Sequence, residues 1–147
     1  MKGVKTQTKL KYGYEEKFGE FNEIFKMKFI NKYDSKGNID ENSSYDSDGS
    51  FYGKYIYKYN SNGNRVEKSK YDSDGKLENI NIYKYDSNGN EVEWSEYDSY
   101  EKLQYTTIYK YDNKNRKIES IKYFYKLKFG ERQRIPQWKN TYKYEEY

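Results

Sequence analysis

A five-residue unit that opens on tyrosine recurs along most of this chain. It reads Tyr33-Asp34-Ser35-Lys36-Gly37, Tyr45-Asp46-Ser47-Asp48-Gly49, Tyr59-Asn60-Ser61-Asn62-Gly63, Tyr71-Asp72-Ser73-Asp74-Gly75 and Tyr85-Asp86-Ser87-Asn88-Gly89. Degenerate copies follow at Tyr97-Asp98-Ser99 and Tyr111-Asp112-Asn113. Steps between successive tyrosines alternate between 12 and 14 residues, so the true period is 26. A fixed period of this size marks a repeat protein, whose units pack chiefly on their neighbours.

Each unit has the chemistry of a turn. An Asp or Asn at the first position accepts local backbone hydrogen bonds, and Gly supplies a positive φ. A type I turn followed by a left-handed glycine is a common hairpin connection. Between the turns the residues alternate, as in Lys54-Tyr55-Ile56-Tyr57-Lys58-Tyr59 and Glu78-Asn79-Ile80-Asn81-Ile82-Tyr83-Lys84-Tyr85. The expectation is an all-β fold: an antiparallel meander of about ten strands, built from 26-residue hairpin repeats in one twisted or coiled sheet. Predicted strands run over 4–14, 21–33, 38–45, 50–59, 64–71, 76–85, 90–97, 102–111, 116–127 and 134–145. Residues 1–147 read as a single domain, with an N-terminal capping hairpin at 1–32, repeats at 33–123 and a C-terminal cap at 124–147. The first hairpin is expected to turn through Glu15-Glu16-Lys17-Phe18-Gly19-Glu20, and the last near Gly130-Glu131-Arg132. Pro136 suits an edge strand, where its missing N–H costs nothing. Lysine-rich edges oppose aggregation and leave edge-strand self-association open.

Composition narrows the chemistry. Cysteine and histidine are absent, which removes disulfides, thiolate nucleophiles, Cys/His zinc sites and imidazole acid–base catalysis. Scarce aliphatics and 35% charged residues would suggest disorder, yet aromatics make up 20% and recur with strict periodicity. The 28 basic and 24 acidic residues are interspersed, as on a solvated mixed-charge surface. No apolar run approaches the ~20 residues of a membrane helix. Met1-Lys2-Gly3-Val4-Lys5 has no apolar leader segment. Location stays open: exported or on the cell surface if a leader has been removed, otherwise cytoplasmic.

The Tyr-Asp…Gly units, with a hydrophobic residue soon after the glycine (Ile39, Phe51, Val66, Leu77, Val92), resemble the YD repeats of Rhs-type proteins. The whole chain also resembles small YD-repeat proteins of Bacteroidetes-type bacteria, which are often exported. The resemblance implies hairpins joined into a long β-sheet, which in large bacterial toxins forms a shell. At 147 residues this chain is too short to enclose a cargo, so the shell function is not carried over. Fold likeness is in any case a poor warrant for function.

Within each long strand one face is aromatic: Phe51, Gly53, Tyr55, Tyr57, Tyr59; then Leu77, Asn79, Asn81, Tyr83, Tyr85; then Leu103, Tyr105, Thr107, Tyr109, Tyr111. The tyrosine columns are the leading candidates for binding: Tyr57, Tyr59, Tyr83, Tyr85, Tyr109 and Tyr111, with Trp94 as a contact that breaks the repeat. The plainer reading makes the ladders the core, since buried tyrosine supplies large area and a polar tip. Exposed, they suit a protein or a glycan, and the expected function is a non-enzymatic scaffold or binding module. The alternatives are a carboxylate-dependent glycan-active enzyme and a weak single-strand nucleic-acid binder. Glu67, Glu91, Glu93 and Glu96 lie among lysines as cross-strand pairs would, with no visible pocket to raise a pKa. Nucleic acid is disfavoured because the lysines of Tyr57-Lys58-Tyr59, Tyr83-Lys84-Tyr85 and Tyr109-Lys110-Tyr111 fall opposite the tyrosines. No cofactor is expected. Asp46 with Asp48, and Asp72 with Asp74, offer a weak calcium alternative, although calcium takes six to eight oxygens.

Overall fold

The computed structural model describes Gly3 and residues 5–145. Its elements are ten strands: β1 (Thr6–Lys17), β2 (Glu20–Tyr33), β3 (Ile39–Tyr45), β4 (Phe51–Tyr59), β5 (Arg65–Tyr71), β6 (Leu77–Tyr85), β7 (Glu91–Asp98), β8 (Leu103–Tyr111), β9 (Lys117–Lys128) and β10 (Glu131–Thr141). The expected start of the first strand at residue 4 lies outside the described residues. All ten belong to one antiparallel meander in chain order, open at β1 and β10 rather than closed into a barrel. Among the described residues no helix is long and apolar enough to cross a membrane.

The repeated turns form as their chemistry requires. Asp72 Oδ1 accepts the backbone N–H groups of Asp74 and Lys76, both at 2.9 Å. Asp86 does the same for Asn88 and Asn90, and Asp112 for Lys114 and Arg116, all at 2.9 Å. The Gly75 N–H then closes onto the Asp72 carbonyl at 3.1 Å, with Gly75 at φ 76°. Where glycine is missing, Asn115 and Glu101 take the left-handed position at φ 60° and 58°.

The two terminal hairpins differ from expectation. Lys17 pairs with Glu20, and Lys128 with Glu131, so each turn is a two-residue loop, Phe18-Gly19 and Phe129-Gly130. Both loop residues have positive φ (55° and 80°; 52° and 80°), the backbone of a type I′ turn. That shape follows strand twist closely and lets β1 and β10 reach the turn directly. The same tetrapeptide, Lys-Phe-Gly-Glu, occupies 17–20 and 128–131.

Contacts group into two compact units: Met1–Lys58 with Ser69–Glu78, and Tyr59–Lys68 with Asn79–Tyr147. Neither holds an oily core. Among the described residues no hydrophobic side chain is buried, and the buried side chains are Ser43, Ser69, Ser95, Thr106, Thr107 and Ser120. The expectation that the tyrosine ladders form a buried core is therefore corrected. Ser43, Ser69 and Ser95 sit at one repeat position, mid-way along a short strand. In the first unit Ser43 lies opposite Ile30 and Lys54; in the second Ser95 lies opposite Ile82 and Thr106. Each of these opposed residues carries a larger side chain than serine. Cohesion thus comes from ladder hydrogen bonds and cross-strand pairs, each pair contributing ~0.2–1 kcal/mol.

Candidate functional site

In the second unit the register across β6, β7, β8, β9 and β10 gathers the candidates. Directly opposed residues share a face. One row runs Tyr83, Trp94, Thr107, Lys122, Trp138. The neighbouring row runs Asn81, Glu96, Tyr105, Phe124, Ile135. Trp94 is fixed by its indole N–H, which donates to Asn81 Oδ1 at 2.8 Å. Thr107, between Trp94 and Lys122, is buried with an unbonded hydroxyl oxygen. Trp94 and the tyrosines Tyr83, Tyr85, Tyr105, Tyr109 and Tyr111 are half-buried, each keeping part of its ring in water.

Charges are set among these rings. Arg65, Glu91 and Lys117 occupy one repeat position, 26 residues apart, at the starts of β5, β7 and β9. Their backbone carbonyls accept tyrosine hydroxyls: Tyr85 to Arg65 at 2.9 Å, Tyr111 to Glu91 at 2.8 Å and Tyr144 to Lys117 at 2.8 Å. The Arg65 guanidinium lies 5.0 Å from the centre of the Tyr83 ring, and Lys117 Nζ 4.1 Å from that of Tyr109. Lys122 Nζ stands 4.3 Å from the Tyr105 ring centre. Burial pushes the Glu91 carboxyl above its ordinary range, against the pull of Lys117 and Arg65. Burial, reinforced by the Glu91 charge, raises the hydroxyls of Tyr85 and Tyr111, and takes Tyr109 to about 12. For Tyr83 burial also dominates, opposed by Arg65.

This refines the sequence reading of the cations. The lysines flanked by tyrosines do lie opposite them and are ion-paired, Lys84 with Glu93 at 2.8 Å and Lys110 with Glu119 at 2.7 Å. Arg65, Lys117 and Lys122 reach the tyrosine face from neighbouring strands. Their shared period of 26 was the available signal for two of them. A bulge between Lys84 and Tyr85 brings Glu91 opposite Tyr85. Counting alternate residues along one strand does not reveal it.

No protein-family model matches this chain, and no curated protein matches it. Among solved structures it is similar to a protein of unknown function from Bacteroides fragilis, at 15% identity and TM-score 0.49, over 92% of this chain and 93% of that one. It is also similar to a porin-like protein from Bacteroides uniformis, at 13% identity and TM-score 0.38, over 88% and 75% of the two chains. A third is a DUF3836 family protein from Bacteroides vulgatus, at 21% identity and TM-score 0.18, over 91% and 98%.

Of the remaining candidates, Tyr59 belongs to the second unit and Tyr57 to the first. The Tyr57 ring centre is 6.3 Å from that of Tyr55. A shallow cavity of about 290 Å³ in the first unit is lined by Tyr52, Gly53, Tyr55, Lys70, Tyr71 and Glu78. Lys70 is ion-paired to Glu78 at 2.6 Å, and Lys54 Nζ lies 5.4 Å from the Tyr71 ring centre.

The turn carboxylates act mainly on backbone. Asp72 is committed to two N–H groups as described above. Asp46 and Asp48 converge on the Ser50 N–H, at 3.1 and 2.7 Å. Hydrogen bonding between their carboxyls pushes Asp46 up and holds Asp48 down at about 2. Among the described residues no group of three or more acidic side chains gathers into a metal-binding arrangement.

Proposed function

We propose that this chain is a non-enzymatic YD-repeat binding module that takes a glycan on the tyrosine face of its second unit. The observation that supports this reading best is the row Tyr83–Trp94–Thr107–Lys122, with the Trp94 indole anchored by Asn81. A sugar offers an apolar ring face framed by hydroxyls. Half-exposed aromatic rings suit the first. The amides, hydroxyls and charges set between them suit the second. The rings already have fixed surroundings, so little ordering cost is left for binding.

A carboxylate-dependent hydrolase is a weaker reading. Such enzymes hold two carboxyls ~5–9.5 Å apart across the scissile bond. On this face Glu91 and Glu96 are five residues apart on one strand, roughly 15 Å along its axis. The Glu91 carboxyl is raised by burial, against Lys117 and Arg65, and not by a second carboxylate.

The test is a glycan array read with the unaltered chain, Trp94→Ala and Tyr83→Ala. The expectation is binding to a restricted set of glycans, lost in both variants while the melting transition is retained. Absence of glycan binding by the unaltered chain would sink the proposal. Turnover of any bound polysaccharide would favour the hydrolase instead.

A further inference from the structure

Two tips stand out among the described residues. Phe18 is 106% exposed and Phe129 93% exposed, and both hold a left-handed backbone that bulky side chains rarely adopt. Within its own hairpin Phe129 has only the adjacent Lys128 Nζ, 5.9 Å from its ring centre, and almost all of both rings faces water. Identical Lys-Phe-Gly-Glu tips at both ends of the strand order make chance a poor account. Strained residues of this kind are a reason to look for function.

The tips differ in charge. Around Phe18 lie Glu15, Glu16, Glu20 and Glu23, against Lys17. Around Phe129 lie Lys126, Lys128, Arg132 and Arg134, against Glu131. One terminal hairpin therefore ends acidic and the other basic. Both outer strands are sheet edges.

Hydrogen-bond parity can be read from the turns. A two-residue loop is closed by a hydrogen-bonded pair, here Lys17 with Glu20 and Lys128 with Glu131. Alternation then points the backbone groups of Tyr12, Tyr14 and Glu16 off the free edge of β1. On β10 it points those of Arg132, Arg134 and Pro136 outward in the same way. If β10 of one copy lies antiparallel to β1 of another with the tips level, Glu16 meets Arg132 and Tyr14 meets Arg134. Both are pairs in which all four outward backbone groups can bond. Lys17 then faces Glu131, and the two phenylalanines sit at one height. Pro136 falls opposite Tyr12, where its missing N–H ends the ladder.

We propose that this chain associates head to tail with a second copy of itself, β10 of one adding to β1 of the next beside the turns. The Arg132 guanidinium lies 5.9 Å from the Tyr125 ring centre on β9 and gives one amino group to the Leu103 carbonyl on β8, so it swings toward the edge to meet Glu16, with four of its five N–H donors to spare. Arg134 is stacked 4.3 Å from the Tyr123 ring centre, which orients it without using its charge. Such a contact is heterologous and leaves one β1 edge and one β10 edge of a dimer unused, so further copies can add. Pro136 confines the pairing to the tip, which keeps it reversible.

The test measures mass by sedimentation and light scattering from micromolar to millimolar protein at low salt. The unaltered chain is expected to grow with concentration and to dissociate as salt is raised. Arg132→Glu with Arg134→Glu, and separately Glu15→Arg with Glu16→Arg, should each stay monomeric. An equimolar mixture of the two should associate again, because the basic β1 of one now meets the acidic β10 of the other. Phe18→Asn with Phe129→Asn, which relieves the left-handed positions, should fold and weaken association roughly tenfold, the scale of a lost interface anchor. A monomeric unaltered chain at all concentrations overturns the proposal. So does association that survives the charge reversals, or a mixture of folded variants that stays monomeric. If either charge variant fails to melt cooperatively, the phenylalanine pair decides alone: undiminished association in it overturns the proposal.

Discussion

The hydroxyl of Tyr111 donates to the backbone carbonyl of Glu91 at 2.8 Å, tying the end of β8 to the start of β7. One period earlier Tyr85 makes the same bond to Arg65 at 2.9 Å. In these two copies the tyrosine that opens the turn thus has a structural task besides offering a ring. At Glu91 it satisfies a carbonyl where a bulge interrupts the β6–β7 ladder. Tyr111→Phe keeps the ring and deletes that bond, and should lower unfolding free energy by about 1 kcal/mol. Urea denaturation with an unchanged m-value checks this.

Much of this architecture is legible in the residues. Asp72 and Gly75 mark a turn because one supplies a local acceptor and the other a positive φ, and β6 follows at Leu77 as the spacing requires. The terminal turns are less legible. Phe18 and Phe129 occupy positions usually given to Asn, Asp or Gly, so turn chemistry alone places the turns within residues 15–20 and near Gly130 without resolving two-residue loops. The candidate site divides the same way. Tyr83, Tyr85, Tyr109 and Tyr111 follow from the period. That Arg65 covers Tyr83 does not, because it depends on the register between neighbouring strands. Nor does composition reveal that serine rather than tyrosine is buried. That outcome requires knowing which residues of the long strands stand beside those of the short strand between them.

Gly53 tests how tightly the first unit is packed. It is buried at φ 156°, and a Cβ there would stand 2.8 Å from the Tyr71 carbonyl oxygen. That neighbour is backbone, which cannot swing aside as a lysine tip could. Gly53→Ala should cost roughly 1–3 kcal/mol, the range for forced overpacking. A chemical-denaturation midpoint unchanged from the parent would contradict this packing.

Asp46 and Asp48 make an unusual turn, because the second carboxyl competes for the Ser50 N–H that the first alone takes elsewhere. The raised Asp46 contributes stability at low pH that is lost as pH rises through its titration. Asp48, held at about 2, contributes stability above the ordinary carboxylate range that is lost as pH falls toward that value. Asp48→Asn copies the sister turns at Asn62 and Asn88. Asp46 should then titrate lower, like Asp34 and Asp86, whose carboxyls lie below their usual range. Carbon-detected NMR titration of the carboxyls reads it directly, alongside the melting temperature of each form near neutral pH. Calcium should leave that temperature unchanged in both forms, since a ligand of the folded state would raise it.

Tyr109 links the site to alkaline stability. Its hydroxyl is pushed up to about 12 by burial first and by the Glu91 charge second. Unfolded tyrosine titrates near 10. A group raised on folding contributes stability that is fully present below the unfolded value and lost as pH climbs through the folded one. The loss should therefore fall between about 10 and about 12. Tyrosinate absorbance should show a late-ionising fraction whose titration coincides with unfolding. Glu91→Gln removes the second cause and keeps the first, so the late fraction should move downward without reaching ordinary tyrosine behaviour. Tyr109→Phe should shrink it to what Tyr83, Tyr85 and Tyr111 contribute and ease the alkaline limb. A late fraction unmoved by Glu91→Gln would mean that the Glu91 carboxylate does not reach the Tyr109 hydroxyl electrostatically.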